Sequence, residues 1–394
     1  MLIRKAFRFR LAPTGEQAAV MRRTAGAVRF IWNSALALQK SRLDRRAGVL
    51  SYAALCKELT AARNDAELAF LAEVHSKPQQ QVLKDLARAF KDFFARQKGF
   101  PRFKKKGRHD SFRHPERVVV CGRHVSIPGI GKVRFRKSRD IEGTIKNATV
   151  SRRGEHWFVS LQTEIALPDA VHPSRSEVGI DLGVKKFCAL SDRTVIEAPS
   201  YFRRLEARLA REQWKLARKK KFSSNWKKQQ ARIARLHIRI ADARGDFLHK
   251  QSTTISKNHA MVVMEDLKVS NMTASAAGTV VRPGKNVKAK SGLNKAILDQ
   301  GWYEFRRQLE YKQSWRGGRF TLVPPHYTSQ KCSVCGHIAA DNRRSQSCFA
   351  CVACGYRDDA DTNAAINILA AGRAASVCGE TPLGDSMKQK PLAA

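Results

Sequence analysis

The stretch Cys332–Asn363 constrains this chain more than any other. It opens with CSVCG and closes with CVACGYRDDADTN, and fifteen residues separate Cys335 from Cys351. Cys332, Cys335, Cys351 and Cys354 form two Cys-x-x-Cys pairs at a spacing that lets four thiolates close a tetrahedral zinc site. Four thiolates leave no open coordination position, so the zinc expected here is structural. Seven residues after Cys354 stands a carboxylate, Asp361, at the start of an apolar, Ala-rich helix. Cys348 and His337 are close enough to compete as ligands, but the regular pairs leave Cys348 a spectator. Cys56, Cys121 and Cys188 are expected to pack as small apolar residues.

Charge narrows the class. Lys and Arg number 74 against 34 Asp and Glu, a formal net charge of +40 over 394 residues. Like charge on that scale works against a compact state, so a polyanionic partner is the reading it favours. The cations run along the whole chain with Trp and Phe among them, which suits a long nucleic-acid groove better than a basic tail. Candidate contacts are Arg4, Lys5 and Arg8 on the first strand, and Arg102, Lys104, Lys105 and Lys106 in the basic, aromatic loop after residue 99. Arg152, Arg153, Lys219, Lys220 and Lys221 complete the set. No apolar run approaches the ~20 residues of a membrane span, and Met1–Leu11 lacks the apolar stretch of a signal peptide. An intracellular, cytoplasmic protein in contact with the nucleoid is expected, its paired cysteines metal ligands rather than disulfides.

The length suits two or three domains, and 43% hydrophobic residues allow a sizeable core. Leu2–Leu11 alternates apolar and basic residues as one strand. Thr14 and Gln17 predict a capping box at the head of a helical region that runs to about residue 98. Ser76 and Gln79 predict a second box, opening a helix that Gly99 stops. From 117 to 164 the period changes to two, and VVVC, HVSI, KVRFR, TIKNATVSRR and HWFVSLQTE read as five strands. The first strand is expected to join them. Residues 1–12 and 116–170 would then form a small β-barrel carrying 13–115 as a helical insertion.

A second unit begins at Glu177. EVGIDLG is an apolar strand that reaches Asp181 and returns through Lys186–Leu190, with a third short strand at Val195–Ala198. Arg203–Lys250 is helical and basic, bent near Ser223-Ser224. Ala260–Met264 is an apolar strand ending at Glu265. A Gly/Ser/Lys-rich segment, Ser270–Gly292, is expected to be mobile, before a helix at Asn294–Gln313 and a strand at Arg319–Val323. Asp181 and Glu265 are single acids at the ends of apolar strands, where burial is costly unless a metal or partner compensates. Together with Asp361 they could hold two divalent cations for in-line displacement at a phosphodiester. Mg²⁺ is the ion expected, with Mn²⁺ as the alternative. Asp358 and Asp359 compete with Asp361 for the third place. The order of elements is that of an RNase H-like core.

These residues carry a family resemblance. GIDLG, VVMEDL, GLNKAILDQGW, PPHYTSQKCSVCG and CVACGYRDDADTNAAINIL resemble the TnpB family of insertion-sequence-encoded, RNA-guided nucleases, kin to type V CRISPR effectors. KAFRFRLAPTGEQ, AGAVRFIWNSAL and LKDLARAFKDFFARQKGFPRFKKKG extend the resemblance to the front of the chain. It implies an α+β multidomain protein: a RuvC-like α/β core (177–328 and 358–372) with a zinc-ribbon insertion (329–357), plus a wedge-like β-barrel bearing a helical recognition lobe. Beyond the reach of the resemblance, residues 373–394 are small, polar and Pro-containing and are expected to be a disordered tail. The resemblance implies Asp181, Glu265 and Asp361 as catalytic Mg²⁺ ligands and a guide RNA from the transposon end. It further implies a double-stranded DNA target beside a short adjacent motif, met by a monomer in a ribonucleoprotein. An RNA-guided repressor without cleavage, or a transposase, are the alternatives. Many members carry Arg where this chain has Ala360.

Overall fold

The computed structural model describes residues 2–166, 170–199 and 201–377. The chain divides into two units at residues 168/169.

In the first unit, β1 (Leu2–Ala12) leads into α1 (Gly15–Asp44), α2 (Tyr52–Asn64) and α3 (Ser76–Phe94). The chain then runs through β2 (Ser111–His114), β3 (Val119–Cys121), β4 (His124–Ile127), β5 (Gly131–Phe135), β6 (Thr144–Arg153) and β7 (His156–Ala166). The capping box at α1 is present, with Thr14 and Gln17 each satisfying the other's backbone. At α3 the expected box is absent. His75 is the cap, and Gln79 turns back to donate to the carbonyls of Leu71 and Val74. That helix ends at Phe94, short of Gly99, where Arg96 takes a left-handed φ of 54°.

The sheet has the order β2-β6-β7-β1-β5-β4-β3. As expected, β1 joins it, pairing antiparallel with β7 along Leu2–Arg10 and with β5 at Leu11–Ala12. Two details differ from the sequence reading. Ser111–His114, placed there in the helical insertion, is a strand, β2, on the sheet's edge. The ladder also stays open among the described residues, because β2 and β3 are its two ends. Helices and sheet are not separate bodies. Met21, Val28 and Leu36 of α1, Leu86 and Phe90 of α3, and Phe9, Val150 and Val159 of the sheet bury into one continuous core.

The second unit opens with β8 (Glu177–Leu182), β9 (Lys186–Leu190) and β10 (Val195–Glu197). A hairpin of two helices follows, α4 (Tyr201–Ala217) and α5 (Ser224–Asn258). Then come β11 (Met261–Glu265), the short α6 (Val269–Met272), α7 (Val287–Gln300), α8 (Trp302–Arg316) and β12 (Arg319–Val323). The order β10-β9-β8-β11-β12 is antiparallel on the β10 side, while β8, β11 and β12 run parallel. The single helix expected at 294–313 is two, broken at Gly301, whose φ is 73°. Helix α7 begins inside the segment expected to be mobile.

Residues alternate between the two faces of this sheet. Val262 and Met264 pack with Leu248 and Ile255 of α5 and Phe305 and Leu309 of α8. Met261 and Val263 pack on the other side with Ile368 and Leu369 of α9 (Ala360–Val377). That helix continues past Gly372, so residues 373–377 of the expected tail are helical; the rest of the tail lies outside the described residues. Before α9 come two short strands, β13 (Cys348–Ala350) and β14 (Arg357–Asp359), paired with each other. Among the described residues, no helix is long and apolar enough to cross a membrane.

Candidate active site and cysteine cluster

Strand register brings the first two acids together. Met264 of β11 lies opposite Ile180 of β8 in a parallel pairing. The next residues along, Glu265 and Asp181, therefore sit side by side, with backbones roughly 5 Å apart. The third acid comes from above the sheet. Helix α9 presses directly onto β8: a Cβ on Gly179 would stand 2.1 Å from the Ala365 carbonyl oxygen and 2.7 Å from the Leu369 nitrogen. Only glycine permits that approach, which brings Asp361, in the first turn of α9, over the ends of both strands.

The electrostatics fit this convergence. Burial, then the neighbouring carboxylates of Glu265 and Asp361, push Asp181 up to about 8, while Arg343 pulls it partly back. Burial also raises Glu265, against a hydrogen bond that Thr328 donates to its Oε1 at 2.6 Å. Asp361 has cations on both sides, Lys186 at 3.6 Å and Arg343 at 3.7 Å. Such a cluster of hard oxygen donors suits Mg²⁺, because a divalent ion would offset both the burial and the mutual repulsion that raise Asp181.

The competing acids have other partners. Asp359 caps α9, accepting from the backbone N–H groups of Asp361 and Thr362, and pairs with Lys186 at 2.9 Å. Asp358 accepts from the Tyr356 hydroxyl at 2.6 Å and pairs with Arg193 at 3.0 Å. The sequence reading missed Lys186, Thr328 and Arg343. Thr328 lies in the PPHYTSQ stretch quoted above, but nothing in its spacing marked it as a partner of Glu265.

The four cysteines converge. Their sulfurs all lie within 4.8 Å of one another, with Cys332 and Cys354 at 3.7 Å and Cys335 and Cys351 at 3.6 Å. Zinc–sulfur bonds of about 2.3 Å in a tetrahedron require sulfurs roughly 3.8 Å apart, so the set fits the ion. The two halves are built alike. The Cys332 carbonyl accepts from Gly336 N–H and the Cys351 carbonyl from Gly355 N–H, each at 3.0 Å, with both glycines left-handed. Backbone N–H groups of Cys354 and Ala353 help draw the Cys351 thiol down, while the neighbouring sulfurs of Cys335, Cys351 and Cys332 push Cys354 up, so the four share their protons as one cluster. Cys348 and His337 are outside this group. Of the remaining cysteines Cys188 is buried, but Cys121 is exposed in the β3–β4 hairpin rather than packed.

The cluster is fastened to the helix that carries Asp361. Asn363 and Asn367, one turn apart on α9, both donate to the Lys331 carbonyl, and Asn367 also donates to that of Thr328. Asn363 Oδ1 accepts from the Ser333 backbone. Ala360 is fully buried against Cys332, Phe349 and Cys351.

The basic candidates are dispersed. Arg4 pairs with Glu164, and Arg8 lies 4.3 Å over the Phe158 ring. Lys5 falls on the core side of β1 and is held by Glu142. Lys104 packs 4.1 Å over the Trp32 ring, and its backbone is held at both ends by Asn33. Arg152 donates to the Gly154 carbonyl at the β6–β7 turn. Arg102, Lys105, Lys106, Lys220 and Lys221 are exposed, while Lys219 is half-buried.

Three family models match this chain: "Probable transposase" over residues 158–276, "Cas12f1-like, TNB domain" over 302–368 and "Helix-turn-helix domain" over 1–47. The last of these spans β1 and α1 here. "Putative RNA-guided DNA endonuclease InsQ" of Escherichia coli (strain K12) is 52% identical over 98% of this chain and 97% of its own length. "Putative RNA-guided DNA endonuclease" of Streptomyces pristinaespiralis is 38% identical over 96% of this chain and 92% of its own. Among solved structures, one titled "Cryo-EM structure of the Cas12f1-sgRNA-target DNA complex" superimposes with a TM-score of 0.55 at 15% identity. It covers 93% of this chain and 98% of the other, a likeness of fold.

Proposed function

This chain belongs to the TnpB family, and from that premise we propose that it is an RNA-guided DNA endonuclease of an insertion sequence, with Asp181, Glu265 and Asp361 as its catalytic residues. The observation that carries the residue assignment is the convergence of those three acids from β8, β11 and α9, with Asp181 pushed up to about 8 by burial and then by the carboxylates of Glu265 and Asp361. The second unit is then a RuvC-like nuclease core, and the four-cysteine module is a zinc-bearing insertion ahead of its last helix. The first unit, with its sheet and helices, supplies the wedge and recognition surfaces. Guide RNA and a DNA target are the partners, which accounts for the net charge of +40.

Asp181, Glu265 and Asp361 would hold Mg²⁺, which when bound supplies charge neutralisation for the attacking and leaving oxygens of the phosphodiester. The protein's own part is positioning. Thr328 fixes the Glu265 carboxylate. Lys186 and Arg343 flank Asp361 and orient it, and Arg343 adds a fixed positive charge beside the place where a scissile phosphate would lie. Cys332, Cys335, Cys351 and Cys354 would hold Zn²⁺, setting the angle at which the chain enters α9.

The test is to express the protein from its own locus and sequence the RNA that purifies with it. That complex is then offered plasmids with and without the matching sequence in Mg²⁺. Breaks confined to matching plasmids are expected. Strand joining would instead favour the transposase reading that one family description suggests, and binding without breaks would favour a repressor.

A further inference from the structure

Phe222 sits at the tip of the α4–α5 hairpin in a conformation its side chain does not favour. The residue is 73% exposed, and its φ of 67° lies in the left-handed region that a residue with a Cβ avoids. Trp226 packs against one side of the ring at a centroid distance of 5.5 Å, tilted by 53°. A second exposed aromatic, Trp214, stands near the end of α4 with the Arg218 guanidinium 3.6 Å over its face. Lys219, Lys220 and Lys221 precede Phe222 in the turn, and Lys227 and Lys228 follow on the first turn of α5.

The tip is held in shape. Ser223 caps α5 through the Trp226 backbone, and its own N–H donates to the Lys220 carbonyl. One turn on, buried Gln229 donates to both the backbone carbonyl and the side chain of Glu212, clamping the two helices together. The contact with Trp226 staples the head of α5, but it covers one side of Phe222 only and leaves the residue largely exposed among cations. Asn or Gly would suit the backbone better and would expose no ring.

We propose that the hairpin tip is a stacking platform for an unpaired base of the bound guide RNA, with Phe222 on the base and the surrounding lysines on its flanking phosphates. The proposal rests on the RNA-guided reading above and extends it to a particular surface. The charge excludes an apolar partner, and two ringed faces among cations are what single-stranded nucleic acid needs. RNA is favoured over DNA by position. Helix α5 packs on the sheet through Leu248 and Ile255 near its C-terminal end, so its tip stands about 35 Å, at 1.5 Å per residue, beyond the strands that carry the acids. A strand gripped at the tip is therefore far from the bond to be cut. Folded RNA, by contrast, offers splayed loop bases throughout its length, and aromatic stacking is how such bases are held.

The experiment uses the full chain and the RNA that purifies with it, transcribed afresh and labelled, with binding measured by filter retention at several salt concentrations. Phe222→Asn removes the ring but keeps a residue that tolerates the left-handed backbone. It should leave the melting temperature unchanged and weaken RNA binding about tenfold, in the range expected for one stacked base. Phe222→Tyr should restore affinity. Replacing Lys219, Lys220 and Lys221 together by Gln should lower the slope of log affinity against log salt by about 2. Unchanged RNA affinity in Phe222→Asn would overturn the proposal. So would a loss seen only with a single-stranded DNA 20-mer, which would assign the tip to DNA. If no RNA purifies with the protein, the RNA-guided reading itself fails. If RNA is present but indifferent to Phe222, only the platform fails.

Discussion

Asp181 shares its surroundings with Glu265 and Asp361, and that sets the protein's response to pH when divalent ions are removed. Its carboxyl is raised from the ordinary range near 4 to about 8. A raised carboxylate favours its protonated form in the fold, so the contribution is fully present below the unfolded value and is lost as pH rises through about 8. In EDTA the melting temperature should therefore fall as pH rises from about 4 to about 8 and level off above that. Asp181→Asn should flatten that fall, and Mg²⁺ should raise the melting temperature most at the alkaline end. A second prediction concerns Gly179, where even a methyl group meets the backbone of α9. Gly179→Ala should cost about 3 kcal/mol or more, seen as a lower denaturation midpoint, because neither β8 nor the helix can give way cheaply. A third concerns Arg343. Arg343→Gln should slow cutting about a hundredfold while RNA affinity holds, if its charge is used at the phosphate. Asp181 and Glu265 were legible in the sequence because each ends an apolar strand, and Asp361 because it opens an apolar helix, though there Asp358 and Asp359 competed with it. Lys186 and Arg343 were not, because two among 74 cations carry no local signature, and only the fold places them beside Asp361.

Helix α9 is the element on which the two metal readings meet. Its N-terminus carries Asp361, its flank carries Asn363 and Asn367 on the neck of the cysteine module, and its small residues lie on β8. Disturbing the cysteine cluster should therefore disturb the acids. Cys351→Ala should lose the bound zinc, measured by elemental analysis of the purified protein, and should lose most cleavage activity as well. Normal cutting by a zinc-free variant would separate the two. The sequence showed this helix and the cysteine pairs clearly, since the one is a run of Ala and Ile and the other a spacing rule. It did not show the break at Gly301, because apolar residues continue with helical spacing through it. Nor did it show β2, whose four residues are too few to display a period against the basic loop before them. At α3 the Ser76/Gln79 pattern misled, because the cap falls one residue earlier, at His75, and Gln79 uses its amide N–H groups as donors to the preceding turn.

Taken whole, the protein is a strongly cationic chain in two units, one of them bearing three convergent acids. Its charge predicts a steep salt dependence of nucleic-acid binding, since each neutralised phosphate releases counterions. The acids predict something separable from binding, because they repel phosphate until a divalent ion intervenes. The most direct test is cleavage of a guide-matched plasmid in Mg²⁺ by the wild-type complex and by Asp181→Ala, with RNA and DNA binding measured on the same preparations. The account predicts that Asp181→Ala binds both nucleic acids as the wild type does and leaves the plasmid intact. Double-strand breaks made by a clean Asp181→Ala preparation would contradict it.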